Sequence, residues 1–155
     1  MKKILVLLLL AGCGFRPMFS GADTDIYVDK IDGINGIELR NALNAKFGGA
    51  HTMDAPYKLV VRLDTPVETY KGLDTTGTAT WRAIKLNAHY DLYAGDNQIA
   101  SGRESASESY TFVRYLVAAN AAYNNAVQNA ISVLADKSGA RTIAETSKYT
   151  DANKQ

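Results

Sequence analysis

Ile84-Lys85-Leu86-Asn87-Ala88-His89-Tyr90-Asp91-Leu92-Tyr93 alternates between two sets of residues without a break. A period of two sends successive side chains to opposite faces of a sheet, so this stretch is a strand with one buried and one wetter face. Ile84, Leu86, Ala88, Tyr90 and Leu92 share the inner face, and Trp81, Lys85, Asn87, His89, Asp91 and Tyr93 the outer one. The alternation extends over Thr78 to Ala94, Gly95-Asp96-Asn97 forms a turn, and Gln98 to Tyr110 is expected to pair back as a hairpin partner.

Working outward, Tyr57, Leu59, Val61 and Leu63 alternate with Lys58, Val60, Arg62 and Asp64, which makes a second half-buried strand. It is expected to run on irregularly past Pro66 to Tyr70, before a turn region at Gly72 to Gly77. Asp25 to Asp29 is a short strand rich in β-formers. Between these, Leu39, Ala42, Leu43 and Phe47 recur at helical spacing and predict an amphipathic helix over residues 36–47. Asn35 is its expected N-cap, Glu38 the capping-box partner, and Gly48-Gly49 the stop. After the hairpin, Leu116 to Asp136 is Ala-rich and free of Pro and Gly. Tyr123, Val127, Ala130, Ile131 and Leu134 fall on one stripe there. Gly139 is expected to end or interrupt this helix, Ile143 to mark a final turn, and residues 145–155 to be a frayed polar tail. The order strand, helix, three strands, helix predicts an α+β two-layer sandwich, a four-stranded sheet with two helices on one face.

The first residues read differently. Met1-Lys2-Lys3 is a charged start, Ile4 to Leu10 an apolar run, and Leu10-Ala11-Gly12 leads into Cys13. That order is the order of a signal peptide, and the run is far shorter than the roughly 20 residues that span a bilayer. Leu10-Ala11-Gly12-Cys13 resembles the bacterial lipobox. The resemblance implies cleavage before Cys13 and acylation of its sulfur and amine, with each buried methylene adding about 0.8 kcal/mol of membrane affinity. An ordinary signal peptide with a chance cysteine is the competing reading. Gly14 follows in place of the Asp that favours inner-membrane retention in enteric bacteria, which permits outer-membrane sorting. The expected layout is residues 1–12 signal peptide, 13–25 lipidated tether, 26–144 α+β domain and 145–155 tail.

Length and composition agree. A chain of 155 residues, 46% hydrophobic and 21% charged, suits one globular domain. Net charge is +1; without Lys2 and Lys3 the basic count falls to 17 − 2 = 15 against 16 acidic residues. This balance does not suit a general nucleic-acid binder. A single cysteine excludes a disulfide framework within the chain.

Cys13-Gly14-Phe15-Arg16-Pro17-Met18 resembles the start of the mature LPS-assembly lipoproteins of the LptE type, in their alphaproteobacterial branch. Leu39-Arg40-Asn41-Ala42-Leu43, Tyr57-Lys58-Leu59-Val60-Val61 and Ser109-Tyr110 followed by an alanine-periodic helix resemble later parts of that family, in the same order. The resemblance covers roughly residues 1–138, and its most specific part is Phe15-Arg16-Pro17. It departs in the last helix, where Asn120, Asn124, Asn125, Gln128 and Asn129 stand in place of charged residues. The resemblance implies an outer-membrane lipoprotein on the periplasmic side. Such a protein plugs the β-barrel LPS translocon, LptD, helps its assembly and binds LPS.

Lys58, Arg62 and Lys85 are the candidate LPS-phosphate contacts, since they share the predicted outer face; a solvated face with ordinary charges is the alternative. Trp81 and Tyr93 are candidate partner contacts, or shields of the sheet surface. His51 and His89 stand 38 positions apart with no ligand cluster beside them, so neither a metal nor another cofactor is expected. No Gly-x-Ser-x-Gly elbow, phosphate-binding loop or distinct carboxylate pair appears, and an enzyme is not expected. The competing function is a lipid-anchored periplasmic adaptor of an ABC-type lipid transporter.

Overall fold

The computed structural model describes residues 25–73, 75, 76, 79–112 and 114–153. The expected signal peptide, Cys13 and the expected tether up to residue 24 lie outside the described residues. The elements are β1 (Ile26–Val28), α1 (Ile34–Lys46), β2 (Tyr57–Leu63), β3 (Val67–Leu73), β4 (Ala79–Ala94), β5 (Asn97–Thr111) and α2 (Leu116–Ala152). The architecture is the expected α+β sandwich, with five strands in place of four.

The extra strand comes from a break. β4 is the spine of the sheet, and β5 pairs antiparallel along one of its edges from Trp81 to Ala94. β2 and β3 share the other edge, β2 against residues 88–94 and β3 against residues 79–85. β1 adds to β2 in parallel. The segment expected to run irregularly past Pro66 is therefore a second strand in line with the first. Pro66 has no N–H to give a ladder, so pairing lapses there. Leu63 pairs with Ala88 and Val67 with Lys85, so four steps on one chain match three on the other (67 − 63 against 88 − 85). That one-residue slip flips the side-chain parity. Glu68 and Tyr70, not their odd-numbered neighbours, share the helix-side face with Leu59 and Val61.

The predicted inner faces form the core. Leu59, Ile84, Leu86, Leu92 and Leu134 are fully buried, together with Leu39 and Leu43 of α1 and Phe47 just after it. Both helices lie on this side of the sheet, α2 over β4 and β5, α1 against β1 and α2. The start of α1 differs from expectation. The N-cap is Gly33, with no side-chain cap, and the Ile37 N–H donates to the Gly33 carbonyl at 3.0 Å. The reason lies at Gly36, where a Cβ would stand 2.8 Å from both the Ile31 carbonyl oxygen and its Cγ2. The first turn packs directly on the preceding chain and enters the helix two residues early.

The tail expectation is also corrected: the chain does not fray after residue 144. α2 continues unbroken through Gly139 to Ala152, 37 residues in all. Gly139 faces α1, and a Cβ there would stand 3.5 Å from Lys46 Cβ and 3.9 Å from Leu43 Cδ2. These are ordinary contact distances, so the helix carries the roughly 1 kcal/mol that glycine costs without breaking. Ser138, Thr142 and Thr146 carry the buried stripe onward. Thr142 Oγ1 donates to the Ser138 carbonyl at 2.7 Å and Thr146 Oγ1 to the Ile143 carbonyl at 2.9 Å. Threonine can be buried there because its hydroxyl is satisfied within its own helix.

Candidate functional site

The helix-free face of the sheet carries the residues singled out from the sequence. β-strand register fixes their places. Lys58 pairs with Tyr93, Arg62 with His89, and Lys85 with Val67 and Ser107. Lys85, His89 and Tyr93 are four residues apart on β4, so Lys85, Arg62 and Lys58 form a file with intervals of about 13 Å. The three cations share a face, and they are too far apart to hold one phosphate together.

Their electrostatics differ. Lys58 Nζ is 3.0 Å from Asp29 Oδ2 and Arg62 Nη1 3.1 Å from Asp91 Oδ2. Gln98 Nε2 also donates to Asp91, at 3.1 Å. The hydrogen bond from Lys58 holds the Asp29 carboxyl below the usual carboxylate range and, reciprocally, Asp29 raises Lys58. Asp64 stands between His89 at 3.6 Å and Arg103 at 3.9 Å. Among the described residues Lys85 is the one cation of the three without an ion-pair partner. The face is a string of surface ion pairs beside one open lysine. Trp81 is exposed at one end of β4, while Tyr93 is half-buried twelve residues away, about 40 Å along the strand. They belong to two separate places.

A second cluster was not singled out from the sequence. Parity puts Arg82 on the helix-side face, but at the end of the sheet beyond the α1 core. Its guanidinium lies 3.7 Å from the Phe112 ring centroid and 5.1 Å from that of Tyr70. Nη1 donates to both Glu68 oxygens, at 3.2 and 3.3 Å, and the Tyr110 hydroxyl donates to Glu68 as well. Burial works to lower the Arg82 pKa, and the Glu68 carboxylate outweighs it, so the group is held above its ordinary value. Burial first, then Glu68, pushes the Tyr110 phenol up to about 12. Tyr110 in turn meets Tyr123 of α2 edge to face, with centroids 6.2 Å apart. The signal that would have found this cluster is the parity flip at Pro66, which alone places Glu68 and Tyr70 beside Arg82.

Around this cluster the molecule is apolar and open. Tyr70, Leu73 and Trp81 of the β3–β4 arm are exposed, as are Tyr115, Leu116 and Val117 at the start of α2. A cleft of about 490 Å³ opens between the start of α1, the β2–β3 break and α2, lined by Ile34, Asn35, Leu63, Asp64, Pro66 and Asn124. Among the described residues no three His, Cys, Asp or Glu converge as metal ligands. His51 Nε2 donates to the Phe47 carbonyl at 2.9 Å, with Nδ1 3.5 Å from Asp25. No helix among the described residues is long and apolar enough to cross a membrane.

This two-layer arrangement is the fold of a set of bacterial lipoprotein domains. A candidate lipoprotein of Caulobacter crescentus superposes with a TM-score of 0.67 at 20% identity, over 82% of this chain and 93% of that one. A minor lipoprotein of Acinetobacter baumannii gives 0.59 at 14%, over 79% and 93%. Rare lipoprotein B of Shewanella oneidensis gives 0.58 at 13%, over 83% and 96%. At such identities the likeness is one of fold. No family model matches the chain, and no curated protein matches it in sequence.

Proposed function

We propose that the protein is an acylated outer-membrane lipoprotein of the LptE type, a plug and assembly partner for the β-barrel LPS translocon. One coincidence carries the reading. Leu10-Ala11-Gly12-Cys13 followed by Gly14-Phe15-Arg16-Pro17 stands before a domain whose fold is shared with bacterial lipoproteins. The first observation is read from the sequence and the second from the fold.

The domain suits the role physically. A wide barrel otherwise leaves an aqueous channel, and a sandwich with a polar sheet face suits such a space. LPS phosphate would meet Lys85 directly. It would reach Arg62 and Lys58 by displacing Asp91 and Asp29, at low cost, because surface ion pairs contribute about 1 kcal/mol or less. With intervals of about 13 Å, the file of cations suits several phosphates spread along a surface, one at a time. Trp81 and Tyr93 would touch the partner at opposite ends of the strand.

The test is capture of the protein from detergent-solubilised membranes of its own host, with identification of what accompanies it. A large β-barrel in equal amount is the expected result. An inner-membrane permease instead would select the transporter-adaptor function. Intact-mass analysis of the same sample should show acyl chains on Cys13.

A further inference from the structure

Six large apolar side chains are left bare at one pole. Tyr70, Leu73, Trp81, Tyr115, Leu116 and Val117 are each more than half exposed. Register gathers them at the same end of the sheet: Leu73 pairs with Ala79, Gly72 with Trp81, and Trp81 with Thr111. The Phe112 N–H donates to the Thr80 carbonyl at 2.9 Å, and Tyr115, the N-cap of α2, follows three residues on. The base of this pole is fixed. The Arg82 guanidinium holds the Tyr70 and Phe112 rings and is itself held by Glu68.

The bare groups point in too many directions for one flat partner. Tyr70 is on the helix-side face of the sheet and Trp81 on the opposite face. Successive helix residues project about 100° apart, so Leu116, Val117 and the Tyr115 cap take in about 200° of the circumference. A flat protein surface covers one side of such a tip, whereas a lipid layer closes round it. Composition agrees, because Trp and Tyr beside aliphatic residues suit the membrane–water interface. Charge agrees as well. Lys71 and Arg114 stand exposed at the pole with no ion-pair partner among the described residues, and no acid occurs between Glu108 and Asp136. Such cations favour anionic head groups, with their stems lying along apolar neighbours.

We propose that this pole dips into the interface of an anionic lipid bilayer, as a contact separate from the expected acyl anchor. Cys13 precedes Asp25 by 25 − 13 = 12 residues, an extended reach of about 40 Å. β4 covers about the same distance between the level of Asp25 and Trp81. Pole and anchor can therefore share one leaflet. One copy of the chain suffices. The contact belongs to the chain before a barrel receives it and frees Trp81 for that partner afterwards.

The test uses the full acylated chain, purified from its host and placed in vesicles that contain a phospholipid with a diazirine in its acyl chain. After illumination, the labelled residues are located by mass spectrometry. Label is expected at residues 70–73, at Trp81 and at residues 115–117, and severalfold more of it in vesicles with phosphatidylglycerol than in phosphatidylcholine alone. Leu73→Asp with Leu116→Asp should cut the label at Trp81 and Tyr115 severalfold with the melting temperature unchanged, since both leucines are exposed. Label confined to residues beside Cys13 would overturn the proposal and leave the pole to a protein partner. Label at the pole that survives the double substitution would overturn it too. Equal labelling in both kinds of vesicle would overturn the part given to Lys71 and Arg114. The readout at the pole needs no barrel, so it fails or holds separately from the translocon reading.

Discussion

Tyr57 and Thr150 lie 93 positions apart in the chain, and their hydroxyls meet at 2.7 Å. Beside them the rings of Tyr57 and Tyr149 meet edge to face with centroids 6.5 Å apart. The last turns of α2 are thereby fastened to the first residue of β2. A chain ending at residue 144 should lose about 2–3 kcal/mol, from the ring pair and the buried Thr146. Tyr57→Phe should lose about 1 kcal/mol, the net worth of one hydrogen bond. Urea denaturation followed by circular dichroism measures both, and an unchanged midpoint on truncation would show the last turns to be idle.

Arg82 should depend on Glu68 for its place. Glu68→Gln leaves a guanidinium wedged between Tyr70 and Phe112 with a weaker partner. The expected loss is about 2 kcal/mol, between the values for exposed and for buried ion pairs. Arg82→Lys should be no better tolerated, because an ammonium neither forks onto Glu68 nor stacks on the rings. Thermal melts of the two variants, equal within error, are the expected result.

Gly36 leaves no room for a methyl group. In Gly36→Ala the new Cβ would stand 2.8 Å from the Ile31 carbonyl oxygen, a main-chain atom that cannot swing aside. The expected destabilisation is about 1–3 kcal/mol, against the gain that alanine brings to an open helix position. A stabilised variant would show that the first turn can lift off Ile31.

Two groups are expected to contribute to the pH dependence of stability. Asp29 is held below its ordinary 3.8 by Lys58, so its contribution is present above about pH 4 and is lost as pH falls through its lowered folded value. Tyr110 is raised from 10.0 to about 12, so its contribution is complete below pH 10 and is lost as pH rises through about 12. Asp29→Asn should flatten the acid limb of the stability profile, and Tyr110→Phe the alkaline limb. Urea midpoints measured from pH 3 to about pH 12 would decide it.

The outer face should answer to its acids as well as its bases. Lys85→Ala with Arg62→Ala is expected to weaken LPS binding severalfold with the melting temperature unchanged. Asp91→Asn, which frees Arg62 from its partner, is expected to strengthen it. Binding of labelled LPS at two salt concentrations checks both, and indifference to all three substitutions would remove this face from LPS recognition.

Much of this was legible in the sequence because period-two and helical patterns are local. Leu59, Ile84, Leu86, Leu92, Leu43 and Leu134 were all placed correctly in the core by spacing alone. Lys58, Arg62 and Lys85 were placed on one face for the same reason. What was not legible depends on contacts between distant segments. The slip at Pro66 changes parity only because β4 continues regularly beneath it, so Glu68, Tyr70 and Arg82 could not be brought together from composition. Ser138, Thr142 and Thr146 read as polar, and Thr142 and Thr146 can be buried because α2 supplies their hydrogen bonds. The acids that hold Lys58 and Arg62 are Asp29, just after β1, and Asp91 of β4, across register that no single strand reveals.

The chain has one tryptophan, and β4 carries it to the end of the sheet farthest from where residue 25 enters. Along the strand, Trp81 stands about 43 Å from Ala94, the level at which Tyr57 and Asp25 meet. The unaltered protein therefore has a built-in fluorophore at its far pole. A shift in its emission would report whatever approaches that pole, without a label and without interference from events at the end where residue 25 enters.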